Sequence, residues 1–201
     1  MAHEYTVEAS EPVFDGAVIS VRRDLVAMPG GRGAWRDIVV HPGAVGVVAY
    51  EDGRILLLHQ YRHPVRQRLW ELPAGLLDVA GEPASTAAKR ELAEEAGVQA
   101  ARWDTLVDTY TSPGMSNEAI RIFLARDISE LAEHYERVDE EADLEVRWVA
   151  LDDAVQQVMN GAITNAMAVA GILSAALAAQ SGFGALRPAD AGWDARPAHA
   201  G

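Results

Sequence analysis

The chain has 201 residues, 49% hydrophobic and 23% charged, enough apolar material for one full core and too much for a disordered chain. Its 30 acidic and 17 basic side chains give a formal net charge of −13, which argues against nonspecific binding to nucleic acid or an anionic membrane, since both need basic surface. The absence of cysteine removes disulfides, thiolate metal sites and cysteine nucleophiles, and fits a reducing cytoplasm.

MAHEYTVEASEP at the N-terminus lacks the basic-then-apolar pattern of a signal segment, and 1–12 reads as polar and frayed. Val13–Val26 alternates enough to predict strands broken near Asp15-Gly16. MPGGRG at 28–33 is a turn cluster without the Gly-Lys-Ser/Thr ending of a phosphate loop. Strands are expected over Ala34–His41, Ala44–Tyr50 and Arg54–Tyr61, the last two in a central sheet. A polar connection through Arg66, Gln67 and Arg68 then leads to LWELPAG at 69–75.

Pro83 suits a first helical turn and Gly97 a left-handed helix end, so a helix is predicted from about 83 to 96. Trp103–Tyr110, Ala119–Ala125 and Asp143–Val149 read as strands, separated by the loop TSPGMSNE at 111–118 and the acidic segment Glu130–Asp143. Asp152 or Asp153 can cap a helix ending near Gly161, and Thr164 or Asn165 a second that ends near Gly182. The second is apolar on most faces, which predicts burial, yet its stretch Ala166–Ala179 is too short for the roughly 20 residues of a membrane span. The Gly-, Ala- and Pro-rich remainder reads as a loosely ordered tail. The expected division is a β-strand region over 1–41, a main domain over 42–182 and a tail over 183–201.

On the 83–96 helix, Glu91, Glu94 and Glu95 fall within an arc of about 100°. Their repulsion costs roughly 0.2–0.5 kcal/mol per pair, and Arg90 offsets part of it through its i,i+4 relation to Glu94. Glutamate-rich helix faces are most often simply solvated, but a divalent cation also removes the conflict. Oxygen-only ligation suits Mg²⁺ or Mn²⁺ rather than zinc. The spacing favours metal: Glu82, seven residues, then Arg90, Glu91, Leu92, Glu94, Glu95, Gly97 and Val98 resembles the Nudix box. One departure is that six residues rather than five separate Gly75 from Glu82, which predicts a bulged loop that leaves the Ala74 carbonyl near the metals.

The resemblance implies an α/β fold: a Nudix-type α/β/α sandwich with a mixed central sheet, preceded by a small N-terminal β-sheet subdomain. It implies that Glu91 and Glu95, with Glu94 and the Ala74 carbonyl, hold the metal ions, Glu95 also counting as catalytic. SPGMSNE, Ser112–Glu118, resembles the loop of the ADP-ribose pyrophosphatase branch, which places Gly114, Met115 and Glu118 at the terminal ribose. Arg62 stands where those enzymes hold the diphosphate, a role suited to a planar guanidinium. Trp35-Arg36-Asp37 resembles the adenine-contacting strand exchanged within a homodimer, although a strand tryptophan is more often core. Asp139-Glu140-Glu141 holds the position of the water-activating glutamate; Glu140 is preferred, but sequence does not separate it from Glu141. His59 and His63, four apart in strand and turn context, do not align as ligands.

The implied activity is metal-dependent hydrolysis of the diphosphate of ADP-ribose to AMP and ribose 5-phosphate. One alternative is hydrolysis of another nucleoside diphosphate derivative, such as NADH, an ADP-sugar or a dinucleoside polyphosphate, against which the SPG loop argues. Another is a non-catalytic Nudix-like nucleotide-binding module, against which the retained Arg90, Glu91, Glu94 and Glu95 argue.

Overall fold

Period-two alternation of apolar residues organises the centre of the molecule, seen in a computed structural model that describes residues 2–132 and 143–197. In β4 (Ala44–Glu51) and β5 (Arg54–Arg62), Val45, Val47, Leu56 and Leu58 face one core, while Ala44, Val48, Ile55 and Leu57 face another. Ala87, Ala88 and Leu92 of α1 (Ala84–Ala96) cover the first. Leu151 and Ala154 of α2 (Leu151–Met159), with Ala168, Ile172 and Ala175 of α3 (Ala166–Ala179), cover the second. Helices on both faces explain why these strands are apolar at nearly every position, and the result is an α/β/α sandwich.

The remaining strands are β6 (Gln67–Glu71), β7 (Ala74–Leu76), β8 (Val98–Tyr110), β9 (Ala119–Glu130), β10 (Glu145–Ala150) and β11 (Arg187–Pro188). The central order is β10-β5-β4-β9-β8-β11, with β6 on β5 and β7 on β4. β4 runs parallel to β9 while its pairings with β5 and β7 are antiparallel, so the sheet is mixed. A separate antiparallel sheet precedes it, ordered β1 (Val7–Asp15), β2 (Ser20–Ala27), β3 (Gly33–Val40). Among the described residues, no helix is long and apolar enough to cross a membrane.

Several local expectations change. Residues 7–12 are not frayed but paired in β1, because β2 supplies a ladder that needs no apolar pattern. The polar stretch after β5 turns at Arg66, in the left-handed region at φ 53°, and returns as β6. Asp152 and Asp153 lie in the first turn of α2 rather than capping it, where their charge complements the helix dipole. Asn165 does cap α3, accepting from the Ala168 N–H at 3.0 Å, but Leu177 on that helix is 69% exposed, so its burial is one-sided.

The expected loose tail is instead tied down over 183–197. Arg187 and Pro188 pair with Thr105 and Asp104 of β8. Buried Arg121 donates to the carbonyls of Ala191 at 2.6 Å and Gly192 at 2.9 Å. Composition misled here because main-chain carbonyls serve as acceptors whatever side chains they carry, and a buried guanidinium requires acceptors.

Candidate active site

The chain enters the acidic helix through β7, which pairs with β4 at Ala44, Val45 and Gly46. Leu77 is fully buried and donates its N–H to the Gly43 carbonyl at 3.0 Å, which anchors the near end of the loop. Residues 78–81 are exposed, Gly81 takes φ 78°, and Glu82 closes a turn onto the Val79 carbonyl. α1 then starts after Pro83 and ends at Gly97, whose φ of 68° and N–H to the Ala93 carbonyl at 3.0 Å form the left-handed cap.

Arg90 stands at the centre of the carboxylates. Its guanidinium lies 2.7 Å from Glu91, 3.0 Å from Glu94 and 3.6 Å from Glu82. Burial works against its charge, but the neighbouring carboxylates, Glu91 first and then Glu82 and Glu94, outweigh that and raise its pKa. Glu95 is buried and accepts from the Ala74 N–H at 2.8 Å, which places the Ala74 main chain at the acidic face. Gly75 is required by the same packing: a Cβ there would lie 2.0 Å from Glu91 Oε1.

With Arg90 bridging them, no three acidic side chains among the described residues converge on one point. The donor set nevertheless fits a hard divalent cation. Glu82, Glu91, Glu94 and Glu95 offer only oxygen, and Glu82 Oε2 is buried without a hydrogen-bond partner.

Arg62 ends β5 and is held by Glu71 of β6, Nη2 to Oε2 at 2.6 Å. Glu71 is 2% exposed and also accepts from Gln60 at 3.1 Å and from the α3 cap residue Asn165 at 3.0 Å. The 111–118 loop is tied to the end of β3: the Val39 N–H donates to the Met115 carbonyl at 2.8 Å, and the Asn117 N–H to the Val39 carbonyl. Met115 is exposed, and a Cβ on Gly114 would meet nothing within 4 Å, so the tip of the loop is open. Glu118 accepts from Thr111 Oγ1 at 2.5 Å and lies 3.6 Å from His41 Nε2.

Trp35, Arg36 and Asp37 lie upstream on that same β3. Trp35 is 43% exposed and therefore not core. Arg36 donates to the Trp35 carbonyl at 2.9 Å, and Asp37 accepts from Arg23 at 2.8 Å, a bond that lowers the carboxyl pKa. Glu140 and Glu141 lie outside the described residues. At the end of that segment, Asp143 pairs with Arg68 of β6.

Sequence reasoning missed Glu71, although a lone acid in the apolar run LWELPAGLL is the signal a buried charge leaves. It also missed His41 and Thr111, which carry no such signal, since only the fold brings them to Glu118.

The chain is similar to known proteins over most of its length. A family described as the NUDIX domain matches residues 40–168. An ADP-ribose pyrophosphatase of Mycobacterium tuberculosis is 46% identical over 97% of this chain and 94% of its own length. An ADP-ribose pyrophosphatase of Bacillus subtilis is 42% identical over 75% of this chain and 80% of its own. A crystal structure of an ADP compounds hydrolase shares the fold with a TM-score of 0.78 at 20% identity, covering 92% of this chain and 98% of that one. With its box residues gathered on α1 and a family match over most of its length, this chain belongs to the Nudix hydrolase family.

Proposed function

We propose that the protein hydrolyses ADP-ribose with water to AMP and ribose 5-phosphate, using Mg²⁺ or Mn²⁺. The observation that carries the reading is the acidic face of α1 closed against Gly75 and Ala74, together with two relatives named ADP-ribose pyrophosphatase. Glu91, Glu94 and Glu95, with the Ala74 carbonyl, hold the metal in this reading. When bound, it neutralises the diphosphate and lowers the pKa of a water. Arg62, steadied by Glu71, holds diphosphate oxygens. Gly114, Met115 and Glu118 receive the terminal ribose, and Glu140 or Glu141 takes the proton of the attacking water.

The reading includes a cytoplasmic homodimer in which region 1–41 is exchanged and Trp35, Arg36 and Asp37 reach the partner's adenine. Its support is the exposure of β1 over its whole length and of Val7, Val13, Phe14 and Trp35. Apolar side chains so displayed favour a covering partner. Sedimentation at the mass of one chain refutes the dimer.

The test is a product assay with Mg²⁺ or Mn²⁺ across ADP-ribose, ADP-glucose, NADH and diadenosine polyphosphates. AMP and ribose 5-phosphate from ADP-ribose at the highest kcat/KM is the expected result, and Glu95→Gln should lower turnover by orders of magnitude. Preference for another diphosphate overturns the substrate assignment; near-normal turnover by Glu95→Gln overturns the metal assignment.

A further inference from the structure

The loop carrying the extra residue is gripped at both ends by one C-terminal segment. Near its start, the Gly43 carbonyl that holds Leu77 belongs to a glycine at φ 91°, against which Pro197 packs so closely that a Cβ on Gly43 would sit 3.2 Å from Pro197 Cδ. At its end, Arg196 Nη2 donates to the main-chain carbonyl of Glu82 at 3.0 Å. The segment that delivers Arg196 is itself anchored: Thr105 Oγ1 donates to the Pro188 carbonyl at 3.0 Å, Arg121 bonds Ala191 and Gly192, and Arg121 lies 4.9 Å from the Trp193 ring centre.

Glu82 is the link between this strap and the site. Its carboxylate is 12% exposed, has one oxygen without a hydrogen-bond partner, and lies 3.6 Å from Arg90. Arg90 in turn contacts Glu91 and Glu94. The four exposed residues 78–81 have the slack to let Glu82 drift, and a charged donor on its carbonyl removes that slack.

We infer that Arg196 is a positioning residue for the metal-binding face of α1: by holding the Glu82 main chain, it sets where Arg90 and hence Glu91 and Glu94 stand. The inference rests on the proposed metal site. It also assigns the 187–197 segment a task in the reaction beyond covering the sheet edge.

The test is direct Mn²⁺ binding to the full chain, read by loss of the free-ion paramagnetic resonance signal, beside thermal melting and ADP-ribose kinetics. Arg196→Ala should weaken Mn²⁺ binding about tenfold or more, the range for losing support behind metal ligands, with KM for ADP-ribose at saturating Mn²⁺ unchanged. Arg196→Lys, which keeps a charged donor, should recover part of the loss. Wild-type Mn²⁺ affinity in Arg196→Ala overturns the inference, as does a loss that tracks unfolding and is not recovered by lysine. If the wild-type chain takes up no Mn²⁺, the metal assignment fails first and this inference with it.

Discussion

Replacing Gly75 by alanine tests the site with a single methyl group. The added Cβ would lie 2.0 Å from Glu91 Oε1, 2.1 Å from Cδ and 2.4 Å from Cγ. Nonbonded carbons need roughly 3.5 Å, so the carboxylate must retreat by about 1.5 Å. Turning the carboxylate alone gives no relief, because Cγ clashes too. Glu91 must change rotamer and leave its 2.7 Å contact with Arg90. Gly75 is not in the left-handed region, so alanine strains no backbone. Overpacking costs about 1–3 kcal/mol and the stiffer unfolded chain returns about 0.4–1 kcal/mol. The melting temperature should therefore fall by less than about 10 °C. Turnover should fall about 100-fold, since a displacement near 1 Å in a positioned group costs that much. The assay is steady-state hydrolysis of ADP-ribose beside a melting curve. A folded Gly75→Ala chain with turnover within twofold of wild type refutes the reasoning.

Glu71→Gln keeps the shape but removes the charge facing Arg62 and sets an amide among the donors of Gln60 and Asn165. A charge-assisted bond of this kind contributes about 1.5–3 kcal/mol, so KM for ADP-ribose should rise at least about tenfold; an unchanged KM dissociates Arg62 from the diphosphate. Asp108 gives a pH signature. Burial works against its charge, but hydrogen bonds from Arg121 and Arg187 outweigh it and lower its pKa. A lowered folded pKa means that its stabilisation is complete above the unfolded value, about pH 4, and is lost as the pH falls through the folded value. Asp108→Asn should thus be less stable than wild type at neutral pH, by about 1.5–3 kcal/mol for losing a charge-assisted bond to buried Arg121, with the gap closing in acid. A gap that stays constant down to pH 2 contradicts that assignment.

Much of this protein was legible along the chain because its signals are local. Apolar runs bounded by the turn residues Pro42-Gly43 and Asp52-Gly53 mark Ala44–Tyr50 and Arg54–Tyr61 as central strands, Pro83 and Gly97 bound α1, and the 3.6-residue period alone puts Glu91, Glu94 and Glu95 on one face. Arg62 and the 112–118 loop were singled out by resemblance, and the fold adds Glu71 behind the first and the ties to β3 that hold the second. What no local rule reaches is which groups meet. Residues 7–12 become a strand only because β2 pairs with them, and Gln67–Glu71 only because Arg66 turns the chain back. Arg196 lies 114 residues from Glu82, and Asn165 lies 94 from Glu71. The identity of the acidic helix was thus a property of spacing along the chain. Its surroundings, from the space left at Gly75 to the buried Glu71 behind Arg62 and the strap on Glu82, were decided by tertiary packing, because buried charges and carbonyls must be satisfied by whatever the fold brings within about 3 Å.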